Sequence, residues 1–528
     1  MKIAQQNREK RMGGRAVMNM QTSGWSTQGW AAEGRQPKIA IIGAGLSGVG
    51  AVIKMREAGY TDITVYEKAD AVGGTWRENS YPGLSCDVAS HWYSYRFERN
   101  PDWTHRYPYG PEIRAYIERV ADKYDVKRDI KFNTPVKELT YEGPHWRLET
   151  QAGDVEYYDV VVSATGILHH PSIPDFEGKD SFEGPSFHTA RWDHSVDYTG
   201  KRVGIIGTGS TSAQIVGAIT KDVEHLTLFQ RTPQWMLPLP QTKYSNAYRR
   251  LLRTFPFLMW FVYYFHYRAL EYTFSEATVG NKFMQKVISW LARRNLEKNV
   301  PDPELRKKLT PDYQAACKRM IFCSDFYPAI SRPNASLVTE GIERIEPNGV
   351  RTKDGVLHEL DILVYATGFD TKAFVLPIEV FGEDKKSLTQ TWGNAPRAHR
   401  AMSVPGFPNF WMIEGPTGPV GNLSLVLISE HQIAYIIHML DVMKKQKLAA
   451  IAPSEEAFKT YNAAMAKDIN NTIWVTGGCK SWYFDASGQP NLYPWAPRRF
   501  FHEMRNPDIS EYRLIEEIPS QKSVVAAE

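Results

Sequence analysis

The chain has 528 residues, 42% hydrophobic and 23% charged, the composition of a globular protein too long for a single core. Its 63 Lys and Arg against 59 Asp and Glu leave a formal charge of +4, too little to argue for a nucleic-acid partner or an anionic membrane. Four cysteines, Cys86, Cys317, Cys323 and Cys479, form no C-x-x-C pair and no metal-ligand spacing. This argues against a redox dithiol, a bound metal and a disulfide framework; reduced, buried thiols in a cytoplasmic protein are expected.

Residues 1–36 lack sustained periodicity and are expected to form a flexible tail. Lys38 to Ile42 has the pattern of a buried strand, followed at once by Gly43-Ala44-Gly45-Leu46-Ser47-Gly48. A helical pattern runs to Ala58, and a second strand, Ile63 to Tyr66, ends at Glu67. In this βαβ setting Gly43 permits the tight turn, Gly45 lets backbone approach a pyrophosphate, and Gly48 lets helix and strand pack closely. Glu67 at the strand tip can accept hydrogen bonds from a ribose. Gly73 to Asp87, GGTWRENSYPGLSCD, supplies small residues able to run close along a flat ligand.

Val160 to Gly166, VVVSATG, is an apolar strand ending in Ala-Thr-Gly, and Phe182 to Asp193, FEGPSFHTARWD, follows. A second βαβ unit then begins: strand Arg202 to Ile206, turn Gly207-Thr208-Gly209-Ser210-Thr211-Ser212, strand His225 to Phe229. Ser212 replaces the third glycine, which requires helix and strand to stand slightly further apart. Glu67 lies 24 positions after Gly43, and Arg231 lies 24 positions after Gly207. A carboxylate repels a ribose 2′-phosphate and a guanidinium pairs with it, so the first site suits an unphosphorylated ribose such as that of FAD and the second is expected to prefer NADPH over NADH.

From about Leu237 to Cys317 the pattern is helical and rich in Arg, Tyr, Trp and Leu. Its most apolar stretch, Phe255 to Phe265, is shorter than the roughly 18 residues of a membrane span and is expected to be a buried or substrate-lining helix, with contact at a membrane surface as the lesser alternative. No stable membrane insertion and no secretion signal are expected. Ile362 to Asp370, ILVYATGFD, repeats the Ala-Thr-Gly strand ending. Gly415 to Ser424 forms a loop entering a helix whose Ile433, Ile436, Ile437 and Leu440 make an apolar core face. Asn471 to Phe500, with Gly477 to Tyr483 inside it, is dense in Gly and aromatics and has the character of a loop-rich pocket cap.

Phe182, Gly184, His188, Trp192 and Asp193 spell F-x-G-x-x-x-H-x-x-x-W-D between two nucleotide turns. This resembles the fingerprint of the type I Baeyer–Villiger monooxygenases, and Gly73, Gly74, Trp76, Tyr81, Pro82, Gly83 and Asp87 fit that family's second pattern. The resemblance covers Lys38 to Phe500. It implies an α/β fold of two Rossmann-type domains, for FAD and NADPH, with a helical insertion. The expected division is an FAD domain from 37–170 and 393–528, an NADPH domain from 171–237 and 318–392, and an insertion from 238–317. The implied reaction inserts one atom of O2 beside a ketone carbonyl through a flavin C4a-peroxide, giving an ester or lactone, with sulfide oxidation as a further activity.

The resemblance also implies residue roles. Arg319 is the active-site cation paired with Asp87. FAD is held by Gly43, Gly45, Ser47, Gly48, Glu67, Lys68, Gly74, Thr75, Trp76, Asp87, Tyr93 and Val136. NADP is held by Gly207, Gly209, Ser210, Thr211, Arg231, Thr232, Lys318 and Arg319, with Trp495 closing over it. His188 couples domain position to cofactor position rather than transferring a proton. O2 and a small ketone are the partners, with a monomer the simpler assembly. Two alternatives stand beside this: a monooxygenase acting on sulfur or nitrogen, and a non-catalytic nucleotide-binding flavoprotein.

Overall fold

A computed structural model describes residues 29–419, 423–481 and 483–516. Ten strands build its two central sheets: β1 Ile39–Ile42, β2 Ile63–Tyr66, β3 Ile130–Lys131, β4 Val160–Ser163, β5 Ser186–His188, β6 Arg202–Ile206, β7 His225–Phe229, β8 Ala335–Val338, β9 Ile362–Tyr365 and β10 Phe410–Met412. The first sheet has the order β10-β4-β1-β2-β3 and the second β8-β7-β6-β9-β5. Every pairing in both is parallel. Strands β1, β4 and β9 are buried throughout, as expected where helices cover both faces. The fold is therefore the α/β pair of Rossmann-type units read from the sequence.

The two sheets repeat one arrangement. In each, the strand preceding the glycine turn lies between its βαβ partner and a strand ending in Ala-Thr-Gly: β4-β1-β2 in one, β9-β6-β7 in the other. Helices α1 (Leu46–Glu57) and α2 (Ser210–Ile219) leave the two turns. The chain builds most of the first sheet, crosses to build the second, and returns with β10 and a 22-residue helix, Leu425–Gln446. That helix is apolar and long enough to span a bilayer, but two thirds of its apolar window, 67%, is buried, and Ile433, Ile436 and Leu440 lie in the first core. It is a core helix.

The segment between β7 and β8 of the second sheet is helical: α3 Asn246–Thr254, α4 Phe257–Leu270 and α5 Lys282–Asn299. Ser245 and Asn281 cap α3 and α5 by accepting backbone amides of Tyr248 and Met284. Helix α4 departs from the expectation that it is buried or lines a pocket. Met259, Tyr263 and Tyr267, one per turn, are buried, whereas Phe257, Phe261 and Phe265 are 60%, 57% and 66% exposed. The apolar run covers the whole circumference of α4, and the core takes one side of it.

Two further expectations are corrected. The tail stops short of residue 36, because Gly29–Ala32 is a short helix with Trp30 1% exposed against Tyr60. Arg35 anchors this segment through two 2.6 Å hydrogen bonds to Asp159. Residues 1–28, together with Val420–Asn422 and Trp482 of the loops singled out above, lie outside the described residues. Second, the cysteines are not all reduced: Cys317 and Cys479 form a disulfide, Cα atoms 6.0 Å apart, across 162 residues of sequence. Spacing gave no sign of it, because only the return of the C-terminal segment brings the two together. In the chain-entropy account a cross-link over such a loop is worth about 5 kcal/mol. Cys86 and Cys323 are free and buried. Alkylation of unfolded, unreduced protein should therefore label two cysteines and alkylation after reduction four; four labels without reduction would contradict the bond.

Candidate active site

A cleft of about 1400 Å³ runs between the carboxyl ends of the two sheets and is walled by both glycine turns. Pockets for one drug-sized ligand span roughly 300–1,000 Å³, so the cleft has room for two ligands side by side. Nearly every residue expected to touch FAD or NADP is in its wall: Gly43, Gly45, Ser47, Glu67, Lys68 and Gly74, then Thr75, Trp76, Asp87, Tyr93 and Val136 on one side, and Gly207, Gly209, Ser210, Thr211, Arg231, Thr232, Lys318 and Arg319 on the other. Gly48 and Trp495 are the two that are not.

Each turn is a place where no side chain fits. Gly43 has φ +104° and a Cβ there would lie 2.7 Å from the Ala164 carbonyl oxygen; Gly207 has φ +112° and its Cβ would lie 2.4 Å from that of Ala366. Gly48 acts from behind the wall, since a Cβ on it would fall 1.9 Å from the Gly43 oxygen. Ser212, fully buried, takes the equivalent place in the second unit. Gly45 and Gly209 cap α1 and α2 without any side-chain cap, leaving the first amides of both helices for an anion. Buried Glu67 accepts the amides of Ala44 and Ala69 at 2.8 and 3.0 Å, which fixes its carboxylate at the cleft edge.

Across the cleft, Arg231 and Lys318 face the same space, and neither has an ion-pair partner among the described residues. Burial, together with the Arg231 charge, holds the Lys318 ammonium below the usual lysine range. Lys318 Nζ also lies 4.7 Å over the Tyr313 ring. Two converging cations without an anion are what a phosphate site has before its ligand arrives. This cation pair and the cradles that a Cβ would fill both fit phosphorylated dinucleotides.

Arg319 and Asp87 meet in the wall between the two turns, Nη2 to Oδ2 2.7 Å, from positions 232 residues apart. Their side chains remain 32% and 24% exposed to the cleft. Such a pair is worth roughly 0–1 kcal/mol of stability, so stability does not account for it. The Asp87 charge raises the Arg319 pKa, outweighing the opposing effect of desolvation, and so fixes the guanidinium as a cation. The Tyr483 side chain stands beside them, its hydroxyl pKa raised by burial. The Cys317–Cys479 bond ties the loop carrying Arg319 to the loop carrying Tyr483.

The five-residue fingerprint is not in the cleft wall, although Thr189 within it is. His188 ends β5, paired with Tyr365 of β9, and its Nδ1 accepts the Ala190 amide at 3.1 Å. Its imidazole is buried, which lowers its pKa, and its edge meets Phe369 in the loop after β9. Gly184 is required by the Asp361 carbonyl, 2.3 Å from where its Cβ would be. Phe182 packs on the second core, Trp192 is wedged between Phe187 and Tyr198, and Asp193 closes a turn by accepting the Ser195 amide and hydroxyl at 2.9 and 2.6 Å. These contacts link the edge of the second sheet to the cleft loop at Gly368.

Trp495 is corrected. Its Nε1 donates to Asp468 at 2.6 Å, Arg499 lies 3.5 Å over its ring, and Tyr461 and Tyr493 flank it, so it belongs to the first core. From the same C-terminal segment, Lys480 and Ser481 reach the cleft instead. Glu414 is a cleft residue the sequence concealed, since a lone acid in a Gly-Pro loop resembles a surface charge. It is buried, its pKa is pushed up to about 7 by desolvation, and Ser429 donates to it at 2.8 Å while contacting Ser47.

The comparisons with known proteins agree with this geometry. The family model described as flavin-binding monooxygenase-like matches residues 36–385. The chain is 39% identical to a Baeyer–Villiger monooxygenase of Streptomyces coelicolor, covering 93% of this chain and 95% of that one. It is 38% identical to one of Pseudomonas aeruginosa, covering 93% of each. Among solved structures, a steroid monooxygenase bound to NADP superposes with a TM-score of 0.82 at 28% identity, over 91% of this chain and 100% of that one. Cyclohexanone monooxygenase from Rhodococcus sp. Phi1 bound to NADP⁺ gives 0.81 at 28%, over 91% and 99%. The chain is a flavoprotein monooxygenase with sites for FAD and NADPH. It belongs to the flavin-binding monooxygenase-like family, within it to the type I Baeyer–Villiger monooxygenases.

The Arg231–Lys318 pair generates a prediction. Charge-assisted hydrogen bonds are worth about 1.5–3 kcal/mol, so Arg231→Ala should raise KM for NADPH roughly 10- to 100-fold and leave KM for NADH nearly unchanged. Equal effects on the two coenzymes would undo the phosphate assignment.

Proposed function

We propose that Arg319 is the fixed cation of the Baeyer–Villiger reaction in this enzyme, with Asp87 as its positioning partner. The observation that carries the reading is their ion pair in the wall between the two nucleotide turns. Bound FAD supplies the redox chemistry, with NADPH as hydride donor and O2 as source of the inserted atom.

Baeyer–Villiger attack on a ketone carbonyl needs a deprotonated oxygen nucleophile and passes through a tetrahedral alkoxide. Arg319 stabilises both negative charges, and as a guanidinium it has no proton to lose at ordinary pH. Asp87 accepts a hydrogen bond from Arg319 Nη2 and so holds the guanidinium in the cleft wall. Glu67 accepts ribose hydroxyls of FAD, while the amides at the start of α1 receive its pyrophosphate. Arg231, Thr232 and Lys318 hold the 2′-phosphate of NADP. His188, buried and engaged with backbone, positions the loop after β9 rather than moving a proton. The substrate is a ketone.

Arg319→Ala should preserve FAD binding and NADPH-driven flavin reduction, while the rate of ester formation falls roughly 10²- to 10³-fold, the loss typical of removing an oxyanion-stabilising group. Stopped-flow absorbance reads the first and product chromatography the second. Ester formation at the wild-type rate would remove Arg319 from the mechanism.

A further inference from the structure

The outer face of α4 has no partner among the described residues. Phe257, Phe261 and Phe265 follow one another along it at 57–66% exposure, with Trp260 at 44% beside them. Phe255, 46% exposed, extends the strip toward α3, its ring 6.2 Å from that of Phe257. A helix bordering water ordinarily turns a polar face outward, whereas α4 is apolar all round. Contiguous exposed aromatics of this kind mark a surface that meets something apolar.

Charge identifies what it meets. Residues 246–299 hold nine basic side chains and three acidic ones in a chain whose total formal charge is only +4, so the remainder is slightly negative. Of the three acids, Glu271 is buried against Arg268 and Glu276 is paired with Arg498, each at 2.7 Å. Exposed Arg250, Lys282 and Lys286 make no ion pair among the described residues. A two-fold contact with a second copy would set this positive region against itself. An anionic lipid surface complements both features: phosphate headgroups for the cations and the acyl boundary for the Phe and Trp rings.

We propose that the α3–α5 insertion docks the enzyme peripherally on anionic bilayers, with the Phe257–Phe261–Phe265 face of α4 entering the headgroup layer. This is a surface attachment.

The test is co-sedimentation of the FAD-loaded full chain with vesicles of phosphatidylglycerol and phosphatidylcholine, and with phosphatidylcholine alone. Binding to the anionic vesicles should be at least tenfold stronger and should weaken as NaCl is raised. The triple variant F257S/F261S/F265S should bind at least tenfold more weakly with its NADPH oxidation rate unchanged, and Arg250→Glu should weaken binding to anionic vesicles selectively. Failure of the full chain to sediment with anionic vesicles, or equal binding by the triple variant, would overturn the proposal. So would light scattering showing a dimer that the same three substitutions dissociate, which would make the face a contact between copies.

Discussion

The Arg319–Asp87 ion pair stands in the cleft wall where the two dinucleotide units meet. Neither residue belongs to either nucleotide fingerprint. Asp87 ends the segment that follows the first βαβ unit, and Arg319 comes just after the helical insertion, 232 residues later. Their meeting requires both sheets to be complete and correctly apposed. The Cys317–Cys479 bond, two residues from Arg319, adds a covalent tie between the loop carrying Arg319 and the C-terminal loop.

The two nucleotide units were legible because backbone geometry forces their residues. Gly43 and Gly207 stand against the carbonyls of Ala164 and Ala366, which belong to the two Ala-Thr-Gly strand ends. Turn and strand therefore constrain each other in each sheet, and the same letters recur for the same steric reason. The exchange of Glu67 for Arg231 at one offset is likewise a local signal with a local cause. What stayed hidden depends on contacts between distant segments. Nothing near Cys317 indicates Cys479, nothing near Trp495 indicates that Asp468 and Arg499 hold it away from the cleft, and Glu414 looks solvated until α-helical Ser429 is packed over it. Phe255 to Phe265 was recognisable as a helix, but periodicity could not tell that the core takes only one side of it.

Charge acts here by placement rather than amount. A net +4 over 528 residues says little, yet residues 246–299 and the cleft wall at Arg231, Lys318 and Arg319 are each locally positive. Within the cleft Arg231, Lys318 and Arg319 stand in partly desolvated surroundings, where each charge is strong. On the insertion the cations are exposed and screened, and they gain force only collectively near an extended anionic surface.

The most direct measurement of the central claim is mass spectrometry of the products formed by the purified holoenzyme from NADPH, ¹⁸O₂ and a mixed panel of ketones and sulfides. A Baeyer–Villiger enzyme yields an ester or lactone from at least one ketone, heavier by a single labelled oxygen atom. Sulfoxide without any labelled ester across a broad ketone panel would contradict the account and assign the cleft to heteroatom oxygenation.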